Sequence, residues 1–143
     1  MKLTVFIDQE HEEEVQVYAH QHTKLIESIR QLIQDDADPL IGYKEKEMAQ
    51  LRLADVHCFI VENNKIYALT QEEKWQLKCR LYNLEETLSE DFLKINKSCI
   101  ANLKKIERFD ASFSGSLQVK FKNGHMDYVS RRNLKTIKER FGL

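Results

Sequence analysis

The chain is poor in the residues that punctuate or staple a fold. Its 143 residues include four glycines, one proline and three cysteines. So little Gly and Pro leaves no room for a long flexible linker, and four scattered glycines cannot form a phosphate-cradling loop. Cys58, Cys79 and Cys99 are odd in number and lack C-x-x-C spacing. That argues against a disulfide framework or zinc site and for reduced, partly buried thiols. No apolar run approaches the roughly 20 residues that a membrane span needs. An acid, Asp8, arrives too early for a secretory signal. The expected compartment is therefore the cytoplasm. Net charge is lacking too: 22 basic against 23 acidic side chains leave −1. That excludes a polybasic tail protein and a supercharged acidic one.

What is present is an uneven distribution of that charge. Residues 1–40 carry three basic and nine acidic side chains, residues 41–91 seven and ten, and residues 92–143 twelve and four. The last third is net +8 and the first 40 residues net −6. Such asymmetry points to a basic surface for an anionic partner and an acidic part that keeps off it. The 42% apolar and 9% aromatic content fits a globular chain. At this length roughly 68–70% of the unfolded surface is buried on folding, enough for a core without staples.

Periodicity supplies the elements. Lys2–Asp8 and Val15–Ala19 alternate with period two and read as strands. Thr23 is placed to cap a helix carrying Leu25, Ile26, Ile29, Leu32 and Ile33 at three- and four-residue steps, and Pro39 stops it. This predicts an acidic ββα extension over residues 1–38, for regulation or dimerisation. From Leu40 the pattern becomes short strands: 40–44, 46–50, 57–62, 65–70 and 76–78, with a one-turn helix at 53–55. Asn63-Asn64 marks a tight turn, because Asn tolerates positive φ. A short helix follows around Leu81, Leu84 and Leu88, then a mixed stretch at 92–100. Strands at 106–109, 117–121 and 126–129 lead to a final helix near Ser130. Asn123-Gly124 is the strongest hairpin signal. The fold class is mainly β with short helices, α+β overall.

The basic side chains of the last third cluster at expected turns: Lys94 and Lys97, Lys104-Lys105 and Arg108, Arg131-Arg132. Loops on a β scaffold can present several cations to one phosphate backbone, and Arg suits a bidentate contact to guanine in the major groove. The plainer alternative is a solvated surface.

Phe92-Leu93-Lys94-Ile95-Asn96-Lys97-Ser98-Cys99-Ile100-Ala101-Asn102-Leu103, then Ile106, Val119, Asn123-Gly124 and Val129-Ser130-Arg131-Arg132-Asn133-Leu134, resemble the signature of the LytTR DNA-binding domain. With the hairpin at 57–70, the resemblance covers 41–143. It implies about ten short strands binding double-stranded promoter DNA through loops rather than a recognition helix. It also implies a bacterial, response-regulator-like transcription regulator, most often an activator, binding promoter repeats as a homodimer. The family's contact loops fall on Asn63, Asn64, Lys65 and Tyr67, on Lys97-Ser98 with Lys94 and Asn102 nearby, and on Arg131-Arg132. Lys97 and Arg132 are expected at base edges or adjacent phosphates; Ser98, Lys94 and Arg131 are expected on phosphate.

Each residue has a structural rival. Asn102 could cap the turn before Leu103. Ser130 reads as a helix N-cap, worth about 1 kcal/mol. Asn63 and Asn64 could serve only the turn, Tyr67 could be a half-buried strand residue, and Lys104 and Lys105 generic surface.

One departure from the family stands out. Residues 1–40 cannot hold a receiver domain of about 120 residues, and Asp8 is a poor phosphoacceptor. Control by another route is expected; some stand-alone members are held inactive by a membrane protein. The alternative function is a protein–protein module or anti-activator that sequesters another regulator. A small-molecule-sensing or RNA-binding β domain is weaker, since only Phe113 and Tyr128 are placed for base stacking. No catalytic residues, cofactor, metal or small-molecule substrate are expected. His20 and His22, near His11, lack a defined further ligand. His57 and Cys58 point to opposite faces of one strand. Cys99 beside Ser98 could be activated by nearby lysines, but Cys more often packs inward.

Overall fold

The structure is a computed structural model that describes residues 1–35, 40–111 and 115–142. Contacts divide the chain into two compact units, Met1–Ala37 and Asp38–Leu143.

In the first unit, the one regular element among the described residues is helix α1, Lys24–Asp35. Thr23 starts it as expected. Its Oγ1 accepts from the Ile26 amide at 3.4 Å and its carbonyl from the Glu27 amide at 3.3 Å. The helix stop expected at Pro39 lies outside the described residues. The two strands expected at 2–8 and 15–19 do not form. The extension is therefore not ββα. Alternation says which face a strand would bury, but a strand exists only where its backbone groups find a second strand. Leu3, Phe6, Ile7 and Tyr18 all stay exposed.

Among its described residues the second unit holds ten strands in two antiparallel sheets, with two α-helices. The strands are β1 (Leu40–Lys44), β2 (Glu47–Leu51), β3 (Cys58–Glu62), β4 (Lys65–Leu69), β5 (Lys74–Leu77), β6 (Phe92–Asn96), β7 (Cys99–Asn102), β8 (Ile106–Ala111), β9 (Leu117–Phe121) and β10 (Met126–Val129). Helix α2 spans Leu81–Thr87 and α3 spans Arg131–Phe141. The larger sheet runs β2-β1-β5-β4-β3-β7-β6 and the smaller β10-β9-β8. The mixed stretch at 92–100 thus resolves into β6 and the start of β7. Phe113, named above for stacking, lies outside the described residues.

Both faces of the larger sheet are covered at its centre. Cys58, Ile60, Leu69, Ile95, Cys99 and Ala101 pack on one face with Val119, Phe121, Val129 and Ile137 from the smaller sheet and α3. On the other, Val56, Phe59, Ile66, Ala68, Leu77 and Ile100 pack with Leu84 of α2. Two-sided burial explains why β3, β4 and β7 read as nearly unbroken apolar runs rather than clean alternation.

The turns follow their residues. Asn63 and Asn64 adopt φ of +50° and +63°, as a two-residue primed turn requires, and β3 pairs with β4 from Glu62↔Lys65 onward. At Asn123-Gly124 only Gly124 takes positive φ, +91°. Asn123 instead uses its side chain: Oδ1 accepts from the His125 amide at 3.0 Å, and Nδ2 donates to the Thr70 carbonyl at 3.0 Å. The hairpin signal therefore also ties the smaller sheet to the β4–β5 connection.

Candidate nucleic-acid interface

The three segments expected to contact DNA are far apart in sequence, and hydrogen bonds bring them to one end of the second unit. The β6–β7 turn, Lys97-Ser98, is the hub. The Ser98 carbonyl accepts from the Val61 amide at 2.9 Å, placing this turn beside the end of β3 and hence the Asn63-Asn64 turn. On the other side, the Ser130 amide donates to the Ile95 carbonyl at 2.8 Å, which sets the start of α3, Arg131-Arg132, next to the end of β6.

Asn96 locks this arrangement. A register shift between Lys94 and Asn96 marks a bulge in the β6–β7 ladder. There Ile95 and Asn96 are both buried, whereas regular alternation would send one of them outward. The Asn96 Oδ1 accepts from the Ser98 amide at 2.8 Å. Its Nδ2 donates to Asp127 Oδ1 at 2.9 Å and to the Tyr128 carbonyl at 2.8 Å. Burial works against ionisation of Asp127, but the His125 imidazole 3.5 Å away, hydrogen bonds from the Tyr128 amide and Asn96, and the neighbouring Cys99 outweigh it and hold the carboxyl below its ordinary value. Neither Asn96 nor Asp127 stood out in the sequence. The available signal was a polar residue inside the apolar end of a strand.

The expected site residues separate by exposure and partners. Lys97, Arg131 and Arg132 are exposed and make no ion pair among the described residues. Asn63, Asn64 and Lys65 are exposed at their turn, so the structural role of the two asparagines leaves their side chains free. Ser98 is half-buried. Lys94 is half-buried and lies 3.7 Å from Glu85, so its charge is partly answered within the protein. Tyr67 is also half-buried, with the Lys74 ammonium 4.4 Å above its ring.

Asn102 departs from the expected contact set. It is buried, its Nδ2 donates to the Val56 carbonyl at 2.8 Å, and its Oδ1 accepts from the Lys104 amide at 3.1 Å. It caps the one-turn helix Leu103–Lys105 and, at 3% exposure, presents neither amide group to a base. Ser130 occupies the N-cap position of α3, but its hydroxyl accepts from Asn133 Nδ2 at 2.8 Å rather than from a backbone amide. Lys104, taken as generic surface, pairs with Asp91 at 3.3 Å.

Cys99 is fully buried. Its thiol is held well above its usual value by hydrogen bonding with Cys58, by burial, and by the nearby Cys58 and Asp127. The inward reading applies, and lysine activation does not. His11 and His22 contact Asp8 and Glu27 at 2.9 and 3.1 Å.

A family model described as the LytTr DNA-binding domain matches residues 46–142. The chain belongs to the LytTR family. A LytTr DNA-binding domain from Bacillus cereus superposes with a TM-score of 0.69, covering 75% of this chain and all of that one; at 17% identity the likeness is one of fold. Relatives from Staphylococcus aureus, in strains bovine RF122 / ET3-1 and MSSA476, are 36% identical over the whole of this chain and 99% of their own length. Both are named as uncharacterized HTH-type transcriptional regulators. In this LytTR chain, α2 and α3 are separated by five strands, so they do not form the short two-helix unit that name describes.

Proposed function

We propose that this protein is a sequence-specific, double-stranded-DNA-binding transcription regulator that reads promoter repeats through loops, most often to activate. The observation that carries this reading is the convergence of Asn63-Asn64-Lys65, Lys97-Ser98 and Arg131-Arg132 at one end of the domain, with all four of those cations making no ion pair among the described residues. Elsewhere in the basic third, Lys94, Lys104, Arg108 and Lys120 sit near carboxylates. In this mechanism Lys97 and Arg132 reach base edges or adjacent phosphates, while Arg131, Ser98 and Lys65 hold phosphate. Buried Asn102 is left out of the contact set.

The same reading has the protein act in the cytoplasm as a homodimer on paired repeats. In this proposal control is independent of receiver phosphorylation, and an inhibitory membrane partner is one route for it. The S. aureus relatives' names agree with a role in transcription. A salt titration of the purified chain with promoter fragments tests the proposal. Binding is expected to weaken steeply, with a slope of about −0.9 per phosphate neutralised. No affinity for any promoter fragment at low salt would overturn it and favour the sequestering module.

A further inference from the structure

Helix α3 continues the cationic surface away from the loops. It is 11 residues long and packs Ile137 fully into the core, with Phe141 edge-on to Phe109 at 4.8 Å. Arg131, Lys135 and Lys138 are spaced by four and three residues. At 3.6 residues per turn they fall within about 60° of one another on a flank away from that buried face, forming a stripe roughly 10 Å long. All three are exposed, and with Leu134, Glu139 and Gly142 they line an open groove of about 630 Å³. Among the residues lining this groove the acid is Glu139, 4.0 Å from the Lys135 ammonium, and both side chains of that pair are mostly in solvent. An exposed i,i+4 pair of this kind is worth a few tenths of a kcal/mol and neutralises little. Arg131 and Lys138 make no ion pair among the described residues. The stripe begins one residue after Ser130, whose amide is fixed to the β6–β7 turn region.

We propose that Arg131, Lys135 and Lys138 form a phosphate-tracking stripe that lies along the duplex backbone beside the loop contacts, so that α3 adds affinity without reading sequence. This rests on the DNA-binding reading above and adds Lys135 and Lys138 to the surface. The argument is one of charge and spacing. Successive phosphates of one strand advance about 3.4 Å along the duplex axis. A row of cations about 10 Å long on one helix face therefore spans two to three of them.

Phosphate contacts are independent of sequence, so the probe need not be the operator. The full chain and its Lys135→Gln/Lys138→Gln double variant are titrated with short mixed-sequence duplexes over a range of salt. The expected result for the variant is affinity about tenfold weaker near 0.1 M salt and a slope shallower by about 1.8, equal on duplexes of different sequence. A matching thermal melt checks that the fold is intact, which the 87% exposure of the Lys135 side chain predicts. If the unsubstituted chain binds and the variant binds equally well with the same slope, the stripe is overturned and belongs to solvent or an acidic protein partner. A loss confined to one sequence overturns it as well. If the unsubstituted chain binds no duplex at low salt, the DNA-binding reading fails and the stripe with it.

Discussion

Asn96 and Asp127, 31 residues apart, meet through a 2.9 Å hydrogen bond from Nδ2 to Oδ1 that joins the larger sheet to the smaller one. The same amide group also fixes the Tyr128 carbonyl, and its oxygen fixes the Ser98 amide. One buried side chain therefore sets the distance between the Lys97-Ser98 turn and the strand leading into Arg131-Arg132.

Asn96→Ala should lower both stability and DNA affinity although it removes no DNA-facing group. It strands the Ser98 amide, the Tyr128 carbonyl and a partly buried carboxylate. The expected loss is about 2–4 kcal/mol, since each orphaned polar group costs roughly 1–3 kcal/mol and some recover water. A urea melt measures the stability, and unchanged melting would remove Asn96 from its locking role.

Arg132→Ala should cost roughly 1–3 kcal/mol of binding and relax preference at one base position. Selection of bound fragments by variant and parent checks this. Equal losses on all sequences would reassign Arg132 to phosphate.

Stability should fall in mildly acidic solution. His57 is buried, and burial, then Lys105 and Lys122, depress its basicity against the pull of Asp55. Below about pH 6.5 the unfolded chain takes up a proton that the folded imidazole resists, so stability declines with falling pH until the folded value is reached. Asp127 acts in the same direction at lower pH. Its contribution is complete above the ordinary carboxylate range, near 3.9, and is lost as pH falls through its depressed folded value. Denaturant midpoints from pH 8 to pH 4 read His57, and continuing the series to about pH 2 reads Asp127; a midpoint independent of pH over both ranges would contradict them.

Gly42→Ala should destabilise by about 1–3 kcal/mol through overpacking. A Cβ there would stand 2.7 Å from the Trp75 Cβ and 2.8 Å from Leu51 Cδ1. The Gly42 backbone does not have positive φ, so the cost is one of space, not conformation. Thermal melts of Gly42→Ala and of a Gly42→Ala/Leu51→Ala pair distinguish the two: partial recovery in the pair supports crowding.

Thiol reactivity should rank by burial. Cys58 and Cys99 are fully enclosed and Cys79 only partly. A colourimetric disulfide reagent added to the native chain should modify Cys79 first, with the other two following only on unfolding. Fast modification of Cys99 would mean the β6–β7 region opens readily.

Much of the second unit was legible because its signals are local. Asn63-Asn64 needed only the tolerance of Asn for positive φ, and the final helix only its apolar spacing at Leu134, Ile137 and Phe141. The charge gradient was a matter of counting, and the LytTR signature lay in one stretch of chain. Period-two alternation failed at residues 2–8 and 15–19, because it describes a strand's faces and not the partner that makes a strand. Three things depended on tertiary structure. The bulge before Asn96 sent a polar side chain inward, Asn102 spent its amide on Val56 and Lys104, and Lys94 and Lys104 lay near acids elsewhere in the chain while Lys97, Arg131 and Arg132 made no ion pair among the described residues. Composition and periodicity determined which segments are strands, turns and cations. Which polar groups are consumed inside the fold, and which remain for a partner, was decided by contacts between residues dozens of positions apart, which no local pattern encodes.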